Sequence, residues 1–413
     1  FGDKGVIIPL SSIFSFFLLY LIKEIKIEND KFIIFFNFII LSFLCLKLNR
    51  YSDFGNDAPA HIFYFFLISI ALKYYNRIDK SKMGELLTVT AYIIFSKVTL
   101  FLGSLIPISI IILKKKINFF NLKILFFLVL FLVSFFTKNL LVSGCFAFPI
   151  EKTCVKKIFW YDKDSKRGSN AKVTMLENEA WTKGWSDQRK NRKNFEEYLS
   201  NYNWIKLWSK NHGIRTLNKL TPFLIFLLVI ILSIHRLTKN NILDPNNFIK
   251  KSVLLTFLTI NIFGSLMWFF KFPVFRYGSS YLISSIAIIL IIICYKKVLF
   301  IDTSKFRKVL FNFTVFLLIV LISKNSFRIF KNYNEVYNHS PWPKIYSEDE
   351  YNLKKMDKPI IKDTKIIFFQ STGTICYYNS SPCTHMLNSQ FDIDEINLTK
   401  ILGYKMYFFN RGL

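Results

Sequence analysis

The chain is poor in acidic residues and lacks the short motifs of several large enzyme classes. Its 413 residues include 27 Asp and Glu against 55 Lys and Arg, which gives a formal net charge of +28. No Walker loop, G-x-G-x-x-G, H-E-x-x-H or G-x-S-x-G motif occurs in it. These absences argue against the nucleotide chemistry of soluble enzymes and against hydrolases that use a catalytic triad.

The excess of lysine and arginine does not indicate nucleic-acid binding. The lysines fall mostly in short clusters between apolar segments, where positive charge sets the orientation of a membrane protein. We therefore expect the lipid bilayer, and no nucleic acid, as a partner of this chain.

Hydrophobic residues make up 52% of the chain, which contains 47 Phe and has a positive mean hydropathy. This composition predicts an all-α polytopic membrane bundle of about ten spans. The spans lie near 6–22, 32–48, 62–76, 84–97, 98–113, 119–141, 220–235, 250–270, 279–295 and 308–323. The pair at 84–113 contains Lys97 near its middle, so it is either two short helices or a re-entrant hairpin. Because the chain begins with Phe1 in an apolar context, we also expect helices upstream of it.

Clusters of basic residues predict which ends of the spans face the cytoplasm. One side receives the clusters Lys23–Lys31, Arg77–Lys82, 114–116, Arg236–Lys251 and Lys296–Lys308. The positive-inside rule places that side in the cytoplasm. The outer side then receives the stretch RYSDFGNDAPAH, the segment 142–219, the loop FKFPVFRYGSSY and the tail after Lys324.

Spans and outer segments divide the chain into four regions. Residues 1–141 form the first half of the membrane bundle, with an outer loop at 49–61, and residues 142–219 form a long outer loop. Residues 220–323 form the second half of the bundle, and residues 324–413 form a C-terminal outer domain. In this C-terminal region, KIIFFQSTGTICYY and YKMYFFNR alternate like short strands, and DIDEINLTKILG is typical of a helix that ends at Gly403. We therefore expect a small α/β domain there.

Four of the cysteines lie on the predicted outer side. Cys145 and Cys154 occur in SGCFAFPIEKTC, and Cys376 and Cys383 occur in CYYNSSPC. Two closely spaced pairs predict two disulfides formed in an oxidising compartment, although free thiols would give the same pattern. Neither pair has the C-x2-C spacing of a zinc site.

The long outer loop 142–219 is rich in tryptophan. Apolar and aromatic residues from Phe195 to Trp208 recur every three or four positions, which predicts an amphipathic helix over 189–210. This basic, aromatic helix either packs on the top of the bundle or forms a platform along the membrane surface that holds a lipid-linked anionic substrate. Trp185, in the same loop, is a candidate substrate-binding residue.

The stretch RYSDFGNDAPAH concentrates ionisable residues between two apolar segments. Asp57 followed by Pro59 predicts the start of a helix, which puts Asp57 and His61 on one face, with Asp53 a turn earlier. A structural interpretation accounts for them if Asp57 caps the helix, His61 lies in the interface and Arg50 binds headgroups. Ionisable groups at the membrane face of a bundle nevertheless indicate a functional site.

Group transfer from a lipid-phosphate donor is the chemistry that suits this stretch. A carboxylate can take the proton of an acceptor hydroxyl, and nearby cations can stabilise charge on a phosphate leaving group. The candidate cations are Arg50, Arg276 and Lys97. Arg276 is equally explained as an aromatic-belt anchor, and Lys97, inside a short apolar hairpin, should have a partner or face a cavity.

Five stretches carry a resemblance to known proteins: RYSDFGNDAPAH, SGCFAFPIEKTC, ENEAWTKGW, FKFPVFRYGSSY and CYYNSSPCTH. Together they resemble a family of uncharacterised polytopic bacterial membrane proteins found in envelope-polysaccharide contexts. That family is more distantly similar to the C-type glycosyltransferases, which use polyprenyl-phosphate sugars and carry a catalytic acid in an outer loop. The resemblance implies that Asp57 or Asp53 is this acid. C-type enzymes often carry it in a D-x-D or E-x-D pattern, whereas these two acids lie four residues apart.

The resemblance also implies a location in the bacterial inner membrane, with the C-terminal region in the periplasm, and a glycosyltransferase working on the periplasmic face. In that hypothesis Asp57 is the base, Asp53 contacts a metal or the sugar, and His61 is a supporting donor. Arg276 binds the lipid phosphate of a polyprenyl-linked sugar or glycan. A divalent cation is then the candidate cofactor.

Two other functions are open, and so is a purely structural role in the envelope. An O-antigen-type polymerase or ligase would depend more on Arg276 and the helix at 189–210 than on the acids. A flippase or transporter would use Asp57, His61 and Lys97 as a path through the membrane. Internal repeats or paired broken helices, which are typical of transporters, are not evident in the sequence.

Overall fold

The computed structural model describes residues 2–47, 57–114, 122–158, 161, 171–185, 195–237 and 249–332, and five short strands between 353 and 409. The described portion of the chain is mostly helical. Its helices are α1 (Gly2–Ile27), α2 (Lys31–Leu46), α3 (Asp57–Tyr74), α4 (Lys80–Ser96), α5 (Leu105–Lys114), α6 (Leu122–Ser143), α7 (Ala171–Thr182), α8 (Phe195–Ser200), α9 (Trp204–Trp208), α10 (Ile214–Leu237), α11 (Lys251–Lys271), α12 (Phe275–Ile293), α13 (Tyr295–Phe300) and α14 (Thr303–Asn332).

A helix overlaps each of the ten predicted spans, and five helices are long and apolar enough to cross a membrane. These five are Leu125–Ser143, Trp204–Arg236, Lys251–Lys271, Phe275–Ile293 and Thr303–Lys331. The helices Lys31–Leu46 and Val98–Lys114 are apolar but shorter. By these lengths and hydropathies the chain is a multi-pass membrane protein.

The predicted pair at 84–113 consists of two short helices with a bend between them. α4 ends at Ser96, and Lys97 adopts an extended conformation with φ −152° and ψ 99°. A 3-10 turn at Val98–Ser104 then leads into α5. The bend places the Lys97 side chain inside the bundle, where it is buried.

The chain forms two compact units, and the larger one comprises Val6–Leu132 and Asn178–Glu335. Its centre is α2, in which all residues from Lys31 to Cys45 are buried. The helices α3, α10, α12 and α14 pack around it. The buried Lys31 ammonium donates to the carbonyl oxygens of Leu299 and Ile301, so its hydrogen bonds are made inside the core.

Two glycines let α11 and α12 pack closely against each other. A Cβ at Gly264 would lie 2.4 Å from Cδ1 of Tyr281, and a Cβ at Gly278 would lie 2.1 Å from Cγ of Trp268. The Trp268 indole donates to the carbonyl of Val274 at 2.8 Å, just before α12 begins. Small residues at helix contacts are typical of membrane bundles, and here they fix the start of α12.

The prediction of one amphipathic helix over 189–210 is wrong. The described residues of this segment break into α8 and α9, and α9 continues through a π-helical segment, Ser209–Gly213, into α10. The three- and four-residue spacing persists across this break, so periodicity alone did not reveal it. The packing alternative is confirmed for Trp204, which is buried, and for Trp208, whose indole donates to the carbonyl of Pro273.

The smaller unit comprises Phe1–Gly5, Val133–Glu177 and Val336–Leu413. In it a disulfide joins Cys145 to Cys154, as predicted. Two backbone hydrogen bonds flank this link, from Phe146 to Thr153 and from Val155 to Gly144. Closing so short a loop stabilises the folded state by about 3 kcal/mol in the chain-entropy account.

This disulfide gives a direct labelling prediction. With non-reduced protein in denaturant, a maleimide reagent should leave Cys154 unmodified in the wild type and modify it in Cys145→Ser, because the variant frees its partner. Cys45→Ser is the control, since buried Cys45 is a free thiol in the structure and its loss should not change Cys154. Labelling of wild-type Cys154 without reductant would contradict the pairing.

The described segments of the tail after 336 are strands. These are β1 (Leu353–Lys355), β2 (Phe369–Ser371), β3 (Cys383–Thr384), β4 (Ile396–Ile401) and β5 (Tyr404–Phe409). β1 and β2 are antiparallel, β2 and β3 are parallel, and β4 and β5 form an antiparallel pair. The predicted helix in DIDEINLTKILG is therefore wrong, because Ile396–Ile401 pairs along its length with β5. Cys376, the expected partner of Cys383, lies outside the described residues.

Candidate functional site

Four segments of the larger unit bring charged and aromatic side chains together. They are the first turn of α3, the bend after α4, the start of α12 and the end of α7. As predicted, Asp57 begins α3, and Pro59 lies in its first turn. A carboxylate is favourable there because the free N–H groups of a helix start carry partial positive charge.

His61 lies one turn after Asp57 and is completely buried. Its Nε2 is 2.6 Å from the carbonyl oxygen of Arg276, and its Nδ1 is 2.9 Å from the hydroxyl of Ser280. A carbonyl only accepts, so we assign the proton to Nε2 and let Nδ1 accept from Ser280. Because both nitrogens are bonded to groups of α12, His61 ties α3 to the start of that helix.

Lys97 contacts both Asp57 at the start of α3 and Arg276 at the start of α12. Its Nζ is 2.9 Å from Oδ1 of Asp57 and also donates to the carbonyl of Arg276 at 2.7 Å. The Lys97 side chain is 6% exposed and that of Asp57 is 22% exposed. The sequence-based expectation that Lys97 should have a partner is thus fulfilled. Lys97 and His61 both donate to one carbonyl, which fixes the backbone at Arg276.

The Arg276 side chain is the more exposed cation of the cluster, at 40%. Its Nη2 donates to the hydroxyl of Tyr277 at 2.9 Å, and its Nε is 3.9 Å from Oδ2 of Asp57. The guanidinium carbon lies 5.7 Å from the ring centroid of Trp181 and 4.9 Å from that of Tyr277. Nε is buried and makes no hydrogen bond within the described residues, so the exposed part of the guanidinium is the part that an incoming anion can reach.

The structure therefore unites four of the predicted site residues: Asp57, His61, Lys97 and Arg276. It adds three that the sequence did not single out for chemistry, namely Trp181, Tyr277 and Ser280. Tyr277 and Ser280 could have been noticed in the FPVFRYGSSY loop, since Ser280 follows Arg276 by one helical turn. Trp181 has no local signal that separates it from its neighbour Trp185.

The remaining predicted residues give less information. Arg50 and Asp53 lie outside the described residues. Trp185 is half-buried at the end of a described segment, and its backbone N–H donates to the carbonyl of Ala180 at 3.0 Å. Within the described ranges, no group of three His, Cys, Asp or Glu side chains could hold a metal ion.

A second polar region lies at the opposite end of α3, about 27 Å from Asp57 at the rise of an α-helix. It is a cavity of about 760 Å³ lined by Glu28, Asp30, Lys73, Arg77 and Lys82, among others. Lys73 pairs there with the buried Glu24 at 2.7 Å. Burial raises the pKa of the Asp30 carboxyl to about 6, although its two oxygens accept from Phe32 and Ile249. Asp30 caps α2, Glu28 accepts from the backbone N–H groups of Asn29 and Asp30 in the turn before it, and Glu24 is held by Lys73.

Fold and site together define a multi-pass helical membrane protein with an ion-paired cluster at the starts of α3 and α12. The chain belongs to the family described as domain of unknown function DUF8201, whose model matches residues 6–283. The matched range includes Asp57, Lys97 and Arg276 and ends before the C-terminal strands. No curated protein and no solved structure matches the chain.

Proposed function

We propose that this protein is an integral membrane glycosyltransferase of the bacterial envelope that takes its sugar from a polyprenyl-phosphate carrier. One observation carries the proposal. Two cations, Lys97 and Arg276, face the single carboxylate of Asp57, so the described cluster has an excess positive charge beside a candidate base. Such an arrangement suits an anionic donor whose phosphate leaves during the reaction.

In the proposed step, the oxygen of an acceptor hydroxyl attacks the anomeric carbon of the sugar. The bond between that carbon and the phosphate oxygen breaks, and its electron pair remains on the phosphate. Asp57 takes the hydroxyl proton through Oδ2, because Oδ1 is held by Lys97. The guanidinium of Arg276 stabilises the charge on the departing lipid phosphate. Asp53 and a divalent cation are further candidates for holding the sugar.

The proposal includes a topology. Ten spans would place the start of α3 and the start of α12 on the same periplasmic side of the bacterial inner membrane. The segment 142–219 and the tail after Lys324 would lie on that side, with the tail forming a small outer domain. A second disulfide between Cys376 and Cys383 is included in the same proposal, since the periplasm is oxidising.

The test is complementation of a gene deletion in the native host, with surface glycans profiled by gel and mass spectrometry. We expect Asp57→Asn to reduce glycan synthesis at least about 100-fold relative to the amount of variant protein in the membrane, because an amide oxygen can still accept from Lys97 but cannot act as a base. The matched control is Asp79→Asn. The exposed Asp79 carboxylate caps α4 by accepting a hydrogen bond from the backbone N–H of Lys82, so this variant should restore the glycan.

The outcome also separates the alternatives. Loss of a single sugar indicates a transferase, whereas a shortened chain indicates an O-antigen-type polymerase or ligase. Full activity of Asp57→Asn would leave Asp57 only a capping role and refute the catalytic assignment.

A second candidate function is transport of a lipid-linked glycan. The bend at Lys97 between two short helices favours it, because broken helices with buried charges are typical of transporter sites. In this alternative the pair between Lys97 and Asp57 opens and closes during the cycle. Unchanged glycans in the deletion strain would exclude both the enzyme and a flippase for lipid-linked glycans, and would leave transport of another molecule as the leading function.

A further inference from the structure

We propose that the indole of Trp181 forms a binding surface for the sugar ring of the donor, next to the phosphate site at Arg276. This inference rests on the proposed function and names the side chain that recognises the sugar. Trp181 lies at the end of α7, in the larger unit, and its side chain was not among the expected site residues.

Trp181 is more exposed than the other tryptophans near the charged cluster. Trp204 is only 2% exposed, and Trp208 and Trp268 each donate their indole N–H to a backbone carbonyl. Packing and hydrogen bonding account for these three rings. Trp181 is 44% exposed, although an exposed indole contributes little to folding. The indole contacts the His212 ring, at 5.9 Å between centroids, and the Arg276 guanidinium, and these contacts leave part of the ring accessible to a ligand.

The backbone that carries Trp181 is held from several sides. His212 Nε2 lies 3.3 Å from the carbonyl of Trp181, and Asn211 donates to the carbonyl of Gly184 at 2.9 Å. Gly184 has a φ of +95°, and a Cβ there would lie 3.0 Å from the backbone nitrogen of Trp208. These contacts fix the turn after α7, so the indole is presented in one place and little entropy is lost when a ligand binds.

The chemistry of the ring suits a sugar. The face of an indole is electron-rich, and the axial C–H groups of a pyranose carry partial positive charge. The Arg276 guanidinium carbon is 5.7 Å from the centroid of the indole ring. A phosphate bound to Arg276 therefore places a directly attached pyranose over or beside Trp181, without a spacer.

A binding experiment with two kinds of probe isolates this contribution. The protein in lipid nanodiscs is titrated with farnesyl phosphate and with its glucosyl, galactosyl, mannosyl and N-acetylglucosaminyl diesters. The measured quantity is the preference for the best diester over the bare phosphate. For the wild type we expect a preference of about tenfold, which corresponds to about 1.4 kcal/mol.

Trp181→Leu should lower this preference to about onefold, because the sugar contact is lost. It should change the affinity for farnesyl phosphate by less than about twofold, because Tyr277 still contacts the Arg276 guanidinium when the indole is gone. Trp181→Phe should keep most of the preference, because it retains an aromatic face, and it also guards against a folding defect of the leucine variant. Tyr202→Leu is the matched control, as Tyr202 is an exposed aromatic residue of the same loop. Arg276→Gln should weaken both probes alike.

The outcomes distinguish this inference from the proposed function. If the wild type binds farnesyl phosphate and prefers one diester, but Trp181→Leu keeps that preference, the Trp181 surface is refuted and the proposed function stands. A wild type that binds no diester better than the bare phosphate also refutes it. If the wild type binds none of the probes, the lipid-phosphate function fails and the sugar surface fails with it.

Discussion

Lys97→Met is expected to remove most of the folded protein from the membrane as well as its activity. The substitution leaves the Asp57 carboxylate without its closest cation and takes one of two donors from the Arg276 carbonyl. Breaking a buried ion pair by removing one partner costs about 3 kcal/mol, and the partial exposure of Asp57 keeps the effect near this lower value. The measurement is the apparent melting temperature in detergent, followed through monodispersity on gel filtration.

The double variant Lys97→Met/Asp57→Asn separates folding from function. Removing both charges relieves the uncompensated carboxylate, so we expect much of the lost thermal stability to return while glycan synthesis stays absent. Lys156→Met is the control, because Lys156 forms an exposed pair with Glu151 and should matter little. Equal stability of the single and double variants would show that the unpaired carboxylate of Asp57 does not cause the loss of stability.

Gly278→Ala is the substitution with the largest expected effect on folding alone. A methyl group at this position would lie 2.1 Å from Cγ of Trp268, far inside van der Waals contact. The indole would have to leave its place against α12 and give up its hydrogen bond to Val274. We expect a loss of about 3 kcal/mol or more, which is at the upper end for overpacked cores.

The measurement for Gly278→Ala is the yield of monodisperse protein and its apparent melting temperature. Trp268→Phe in the same background should recover some of the loss, because the smaller ring leaves room for the methyl group. Leu266→Ala on the exposed face of α11 serves as the control. A normal melting temperature for Gly278→Ala would mean that α11 and α12 can separate without cost.

The positions of the helices can be predicted from the sequence because a membrane span has a strong signal in its own residues. Runs of about 20 apolar residues and the basic clusters between them are visible without any tertiary information. The start of α3 at Asp57 was likewise predicted from Asp57 and Pro59, which are neighbours in the chain.

Contacts between residues far apart in the chain have no comparable signal in the sequence. His61 and Ser280 are 219 residues apart, and the sequence contains nothing that pairs them. The partners of Lys97 became apparent only with the bend after α4 in place. The sequence predicts a helix at Ile396–Ile401, where the structure has a strand, because the conformation of this segment is determined by its partner strand and not by its own composition.

The backbone and the side chain of Arg276 make different contacts, so the residue type at position 276 can change without a change in the helix packing. The carbonyl of residue 276 ties α3 and the α4 bend to α12 through His61 and Lys97, and any amino acid provides such a carbonyl. The side chain is therefore free to change without loosening the helices. A relative with another residue at this position would keep these backbone contacts between the helices and would differ in the charge that the cluster presents.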